Sequence, residues 1–354
     1  MTAKKYDVAI IGAGPAGAVL AKELGIGSPE LKILLVDSER RKVCGGLLSP
    51  DAQKTLALFR LTLPNSVLAD PQIFDVETID VSARCIRNYQ RHYLNMDRAK
   101  FDTWLLSLVP NNVTVVKGSC TEILKDKEFY KLTVCSSGTK TEYATSSVVG
   151  SDGAASIVRK TFLGKPIYHY IAIQQYFQSE LTTLPAYACI FDKSTSDSCS
   201  WIINKNGETV FGGAFRIKGG RDAFEMQKKN VEAFVGHPLG NPNHIEACLL
   251  TKPRRLSELV TGKNEVYLIG EAAGFISASS FEGISYAMMS AKLLADSFLK
   301  GSTHKEIQKI YKRKTLGLRL KVLSKIIKGK ILCSPLLRSL IMKSGIKSIK
   351  KYTK

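Results

Sequence analysis

Apolar and polar positions divide the chain into segments of different character. Residues 8–11, "LKILLVD", the "VVG" before Ser151 and the "LIG" at 268–270 are short unbroken apolar runs, the pattern of strands buried on both faces of a parallel sheet. Residues 56–94 and 166–256 instead hold β-like runs such as "YIAIQQYFQS", "AYACIF", "SWIIN" and "ETVFGGAF", which suggest an antiparallel sheet. Beyond residue 300 the period changes. Leu316, Leu320, Leu323 and Ile327 recur at helical spacing with Lys321, Lys325 and Lys328 on another face, Pro335 interrupts, and "LLRSLIMKSGIKSIKK" resumes. The expected fold is therefore α/β. A Rossmann-like nucleotide-binding domain (1–55, 95–165 and 257–300) is interrupted by a mainly antiparallel β-sheet substrate domain (56–94 and 166–256), and a C-terminal helical tail (301–354) follows.

The first apolar run leads into "GAGPAGAVLAKEL", where Gly12, Gly14 and Gly17 stand in G-x-G-x-x-G spacing and Pro15 and Ala16 open a helix. The first glycine makes the tight turn, the second lets backbone approach a pyrophosphate, and the third lets helix pack on strand. The helix N-terminus supplies N–H groups to an anion. Asp37 ends the next strand, twenty residues after Gly17, placed to accept hydrogen bonds from a ribose. This unit predicts a dinucleotide and leaves NAD or FAD open. Two later stretches bear on the choice. "GSDGAASIVR" sets Asp152 and Gly153 before a helix, and "LIGEAAGFISASSFEGISYAM" sets Glu271 between Gly270 and Gly274, ahead of Gly283 and Ile284. Alone, the last could be a packing turn with Glu271 as a first-turn acid. One extended ligand touched at three places explains all three stretches together.

With "VCGGLLS" around Cys44 and "MDRAKFDTWL" around Arg98, these motifs resemble, in order, those of the FAD-dependent aromatic-hydroxylase-like flavoproteins. Within them the chain is similar to the geranylgeranyl reductase family, closest to its bacterial CbrA-type members, from the N-terminus to about residue 290. The resemblance implies FAD as cofactor. It implies that Cys44, Gly45, Gly46 and Leu47 lie beside the flavin, that Arg98 and Cys120 belong to the cofactor site, that Glu271 replaces the usual Asp at the ribityl chain, and that Gly283 and Ile284 lie near the isoalloxazine ring. Cys44 is its candidate for direct chemistry, with a small buried cofactor-loop residue as the plainer alternative. The implied activity is a reductase delivering hydride from reduced flavin to a double bond of an isoprenoid or other lipid-like substrate at the membrane surface. A monooxygenase hydroxylating a small aromatic, and a non-catalytic FAD-binding lipid-surface protein, are the alternatives. The family's sheet signature Tyr-x-Trp-x-Phe-Pro is reduced here to Trp201, a departure that weighs against a long isoprenoid substrate. Gln175, Tyr176, Phe177, Trp201 and Phe211 are candidates to line the substrate pocket or to fill the sheet core.

Composition adds three constraints. The net charge of +20 is concentrated: residues 301–354 hold 16 Lys and Arg against the single acid Glu306, a net +15, which leaves +5 for the rest. A basic amphipathic helix predicts an anionic membrane surface as partner, and the scarcity of aromatics there argues against nucleic acid. Eight cysteines without a C-x-x-C pair argue against structural zinc and redox disulfides, and fit a reducing cytoplasm with peripheral attachment to the membrane's inner face. No metal is expected, because the histidines at 92, 169, 237, 244 and 304 show no ligand spacing. With only one dinucleotide fingerprint in the chain, electrons are expected from a transient donor, NAD(P)H or a redox protein.

Overall fold

The computed structural model describes residues 4–40, 42–178 and 186–352. Residues 1–3, 41, 179–185 and 353–354, which the expected segment boundaries include, lie outside the described residues. The parallel core runs in the order Val266–Leu268, Thr139–Gly150, Lys4–Ile11, Ile33–Asp37, Val113–Lys117. Helices Pro15–Gly27, Arg98–Ser107 and Ile284–Phe298 cover one face of it. An antiparallel ribbon, Ser119–Asp126 and Phe129–Ser136, continues from Thr139–Gly150 and brings Ile123, Tyr130 and Leu132 to the other face. Covered on both sides, Ile33–Asp37 is buried at every residue, which is why it reads as an unbroken apolar run.

The second sheet is eight-stranded, in the order His244–Thr251, His169–Phe177, Glu208–Arg216, Ser200–Lys205, Tyr187–Phe191, Ile73–Asp80, Cys85–Asn95, Leu47–Leu48. Its pairings are antiparallel except where Tyr187–Phe191 runs parallel to Ile73–Asp80, so this sheet is mixed. Side chains alternate across it. Phe177, Ile190, Ile202 and Phe211 meet Phe224 and Val231 of the helix Gly220–Val235 on one face. The opposite face looks toward the first sheet.

The C-terminal helices, His304–Lys314, Leu316–Cys333 and Pro335–Ser344, are built into the body. Tyr311 Oη donates to Leu268 O at 2.9 Å, at the end of a parallel strand. Arg338 Nε donates to Asp80 Oδ2 of the second sheet at 2.6 Å, with both side chains buried. The buried stripe of the long tail helix is Leu318, Val322, Ile326 and Gly329, whereas Leu316, Leu320 and Ile327 are 55%, 64% and 53% exposed. Helical spacing gives a period and no phase, so two stripes on one helix are indistinguishable in sequence. The phase is fixed by long-range partners: Lys321 pairs with Asp51 at 3.0 Å and Lys325 approaches the same carboxylate at 4.0 Å. Lys321 and Lys325 thus turn toward the body, and Leu316 and Leu320 outward.

Candidate functional site

A cavity of about 1450 Å³ lies between the two sheets, beginning at the C-terminal ends of the parallel strands and running to the tail helices. The ends of parallel strands are where open α/β sheets place their ligands. Gly12 has φ 102°, and a Cβ there would lie 2.7 Å from Ser151 O. A Cβ on Gly17 would lie 1.9 Å from Gly12 O. At Gly14 a Cβ would meet nothing within 4 Å, because that position faces the cavity. The helix Pro15–Gly27 begins there without a side-chain cap. An open glycine in front of an uncapped helix N-terminus is a cradle for a diphosphate. Pro15, Ala16 and the buried Asp37 line the same end, with Asp37 accepting from Glu39 N at 2.9 Å.

The other expected contacts separate into lining and packing. Cys120, Asp152, Gly153 and Glu271 line the cavity. Burial and the nearby Asp152 push the Cys120 thiol up to about 12, so it serves as neutral wall. Asp152 accepts from Ile157 N at 2.7 Å and from Ser156 Oγ at 2.5 Å, holding the start of the next helix. Glu271 pairs with Lys42 and accepts from Thr251 N at 2.8 Å, so its carboxylate ties the cradle to the second sheet and does not cap a helix. Gly17, Gly270 and Gly274 stand outside the wall: Gly270 packs 3.1 Å from Ala16 Cβ and Gly274 3.0 Å from Ile167 and Leu259, measured from a Cβ built on each.

Cys44, Gly45, Gly46 and Leu47 form the middle of the wall, together with Arg98. Cys44 Sγ accepts from Gly46 N at 3.4 Å, and the adjacent Arg98 donates from Nε to Asp102 at 2.8 Å. Lys205 Nζ holds the loop from behind, donating to Gly45 O and Met96 O at 2.8 Å each. Burial works to raise the Cys44 pKa, but the Arg98 charge, the Gly46 N–H and Lys205 outweigh it and hold the thiol below its ordinary value. Burial in turn lowers Lys205 to about 8, against the opposing pull of Cys44 and Asp97. Alkylation of Cys44, followed by peptide mass spectrometry across pH, is expected to show its rate midpoint below the ~8.5 of a free cysteine. In Arg98→Met that midpoint should move upward, since the loss of the positive charge leaves burial less opposed; an unmoved midpoint would remove Arg98 as the cause.

Of the expected substrate-pocket residues, Trp201 alone lines the cavity, where its Nε1 donates to Gln174 Oε1 at 3.1 Å. Phe177 and Phe211 are buried on the helix face, and Gln175 bonds Glu225 and Lys228 there. The reason is strand parity: Gln174 and Gln175 are one residue apart and so point to opposite faces. Tyr176, on the cavity side, donates to Glu246 at 2.5 Å and stacks on His244 at 3.9 Å. Gly283 and Ile284 line the wall beside Glu282. Sequence reasoning passed over Gln174, Tyr93, Tyr187, Glu282 and the tail residues 324–347. Parity could have found Gln174. The tail carried no signal that it would close a cavity.

The chain is similar to several known proteins. The lycopene cyclase protein family model matches residues 7–174. Protein CbrA of Escherichia coli O6:H1 is 42% identical over 353 residues, covering 97% of this chain and 94% of CbrA. Among solved structures, a geranylgeranyl bacteriochlorophyll reductase-like protein from Thermoplasma acidophilum has a TM-score of 0.79 at 17% identity, over 95% of this chain and 90% of that one. HpxO of Klebsiella pneumoniae, complexed with FAD and uric acid, has a TM-score of 0.70 at 13% identity, over 96% and 92% of the two chains. The two structures share the fold.

Proposed function

The chain belongs to the family of protein CbrA, and from that premise we propose that it is an FAD-dependent reductase that saturates a double bond of an isoprenoid or other lipid-like substrate at a membrane surface. FAD suits the cradle: Gly14 opens on the cavity, Gly12 and Gly17 close the turn behind it, and Asp37 stands at ribose distance along the chain. The domain division read from the sequence enters this reading as its frame, with the dinucleotide on the parallel sheet and the substrate against the second. Bound FAD supplies two-electron redox chemistry, and the chain supplies position and exclusion of water. Cys44, Gly45, Gly46, Gly283 and Ile284 hold the flavin's reactive end in this scheme, with Glu271 and Lys42 near the ribityl chain. The electrons come from a transient donor, NAD(P)H or a redox protein.

The observation that carries the lipid reading is where the cavity goes. From Cys44 and Trp201 it continues past Tyr93, Tyr187 and Phe191 to Ile331, Leu332 and Ile341 of the tail helices. Those apolar surfaces, with Arg91, Lys325, Lys328 and Lys347 also in the lining, suit an apolar chain better than a small aromatic. Outside it the tail shows Leu320 64%, Leu336 79% and Leu340 66% exposed among its lysines. Apolar ridges flanked by cations are the chemistry of an anionic bilayer surface, to which each engaged Lys or Arg contributes about 1 kcal/mol. No helix among the described residues is long and apolar enough to cross a membrane. The test is anaerobic photoreduction of the FAD-loaded protein, followed by anionic vesicles bearing a geranylgeranyl-chain lipid. Flavin reoxidation without oxygen is expected, and Leu320→Asp with Leu336→Asp should abolish vesicle sedimentation while the flavin remains bound. Oxygen-dependent hydroxylation of an added phenol, with the lipid untouched, would replace the reductase reading by a monooxygenase.

A further inference from the structure

Saturating a carbon–carbon double bond consumes two electrons and two protons. One proton travels with the electrons from the reduced flavin; the other needs an acid in the wall. The residues around Cys44 are poorly suited to that task. The thiol is held toward its anion by Arg98, and Arg98 and Lys205 are already committed to Asp102 and to the Gly45 and Met96 carbonyls. We propose that Glu282 is the catalytic acid, giving its carboxyl proton to the substrate carbon next to the one reduced. This role rests on the reductase reading above.

The placement is specific. Glu282 lines the cavity immediately before Gly283 and Ile284, between the flavin end and the throat. Tyr93 Oη donates to its Oε1 at 3.3 Å from the opposite strand, and Ser49 contributes a second hydrogen bond. Tyr93 is itself set by an edge-to-face contact with Tyr187, ring centroids 5.4 Å apart. A carboxylate before a helix would ordinarily be read as a cap for the N-terminal turn. Here the helix Ile284–Phe298 has no side-chain cap, and the carboxyl reaches away to another element. The residue before it, Phe281, has φ 55°, a left-handed conformation that a bulky side chain adopts only under constraint. Functional sites are where such conformations collect.

The electrostatics distinguish an acid from a salt-bridge partner. Burial raises the Glu282 pKa against the lowering by Ser49, Lys325 and Tyr93, with Asp51 adding to the rise. Lys321 and Lys325 share Asp51, and Lys328 faces Glu282 as a further cation. Lys328, Tyr187 and Cys199 complete the ionisable surroundings. Cys44 and Glu282 are thus pushed in opposite senses, the thiol toward its anion and the carboxyl toward its protonated form. In the balanced step the double bond takes two electrons and one proton from the reduced flavin and one proton from Glu282. The products are a saturated bond, oxidised flavin and a carboxylate that solvent reprotonates; NAD(P)H or a redox protein restores the flavin.

Two measurements test this. Infrared difference spectra of the flavin-free protein, wild type minus Glu282→Gln, should contain the carbonyl stretch of a protonated carboxylic acid that persists to higher pH than for an ordinary glutamate. Ionisation at the ordinary glutamate pKa would overturn the proposal whatever the reaction. Second, the photoreduced, FAD-loaded protein is given geranylgeranyl-chain lipid in anionic vesicles. Glu282→Gln, which can keep the Tyr93 and Ser49 hydrogen bonds, should bind FAD and vesicles as before yet oxidise about 10²- to 10⁴-fold more slowly. Glu282→Asp should recover part of the rate, and wild-type rate should fall as pH rises through the carboxyl's pKa. An undiminished rate in Glu282→Gln would sink the role. A wild type inert toward the lipid would defeat the reductase reading and this role with it, while the infrared band would still report the protonated carboxyl by itself.

Discussion

Gly14→Val is expected to fold as the wild type does and to retain no FAD, while Gly17→Val is expected to yield little folded protein. Both residues belong to the same motif, but they face different neighbours. A Cβ at Gly14 meets no atom of the chain within 4 Å, so the only thing a valine there can displace is the ligand. The uncapped turn of Pro15–Gly27 offers its N–H groups at that place, the seat proposed for the diphosphate. At Gly17 the new Cβ would stand 1.9 Å from Gly12 O and 2.8 Å from Ser151 Oγ, backbone and a side chain hydrogen-bonded to Ile11 O and Gly12 O, which cannot retreat without parting helix from strand. Overpacking costs about 1 to 3 kcal/mol where neighbours can shift, and more where the obstacle is backbone. Flavin absorbance after gel filtration and thermal unfolding separate the two variants. A Gly14→Val protein that stays yellow would move the dinucleotide out of the cradle.

Deleting residues 301–354 is expected to give an insoluble or unfolded chain, although the sequence reads as if this tail were separable from the flavin motifs. The deletion removes Ile307, Tyr311, Leu318, Val322 and Ile326 from the two central core clusters. Each such side chain contributes about 1.5 to 3 kcal/mol by burial, so the sum is comparable with the entire 5 to 15 kcal/mol of a typical domain. It also strands Asp80, fully buried, without Arg338. Breaking a buried ion pair from one side costs about 3 to 5 kcal/mol, since the remaining charge has no water to return to. The milder Arg338→Met should lower the melting temperature measurably, and Asp80→Asn combined with it should restore part of the loss. A truncated protein that is soluble, cooperative in unfolding and loaded with FAD would show that these helices merely rest on the body.

What was legible in the sequence was local. The glycine spacing, the apolar runs and Asp37 all report on contacts within some thirty residues, and the strand, turn and helix they predict are those of the parallel sheet. What was not legible depended on partners far along the chain. Gln175 was chosen where Gln174 faces the cavity, because parity is set by which neighbour a strand meets and a single-residue slip inverts it. Which stripe of the tail helix faces inward was not legible, because Asp51 determines which way Lys321 and Lys325 turn. Glu282 stood in plain view beside Gly283, yet its burial and its partner Tyr93, 189 residues earlier, are set by the fold.

The three C-terminal helices have a consequence for biosynthesis. They bond to Leu268 of the parallel sheet and Asp80 of the mixed sheet, and residues between 324 and 347 form the far wall of the chamber. A ribosome delivers this wall after both sheets. Residues 12–17, the proposed nucleotide cradle, are made well before it, so the chamber beside them stays unwalled until residues 324–347 have been made. A ribosome stalled anywhere before these helices releases a product without its closing wall. The same segment carries the exposed leucines, so a chain that reaches a bilayer through them arrives with its chamber already complete.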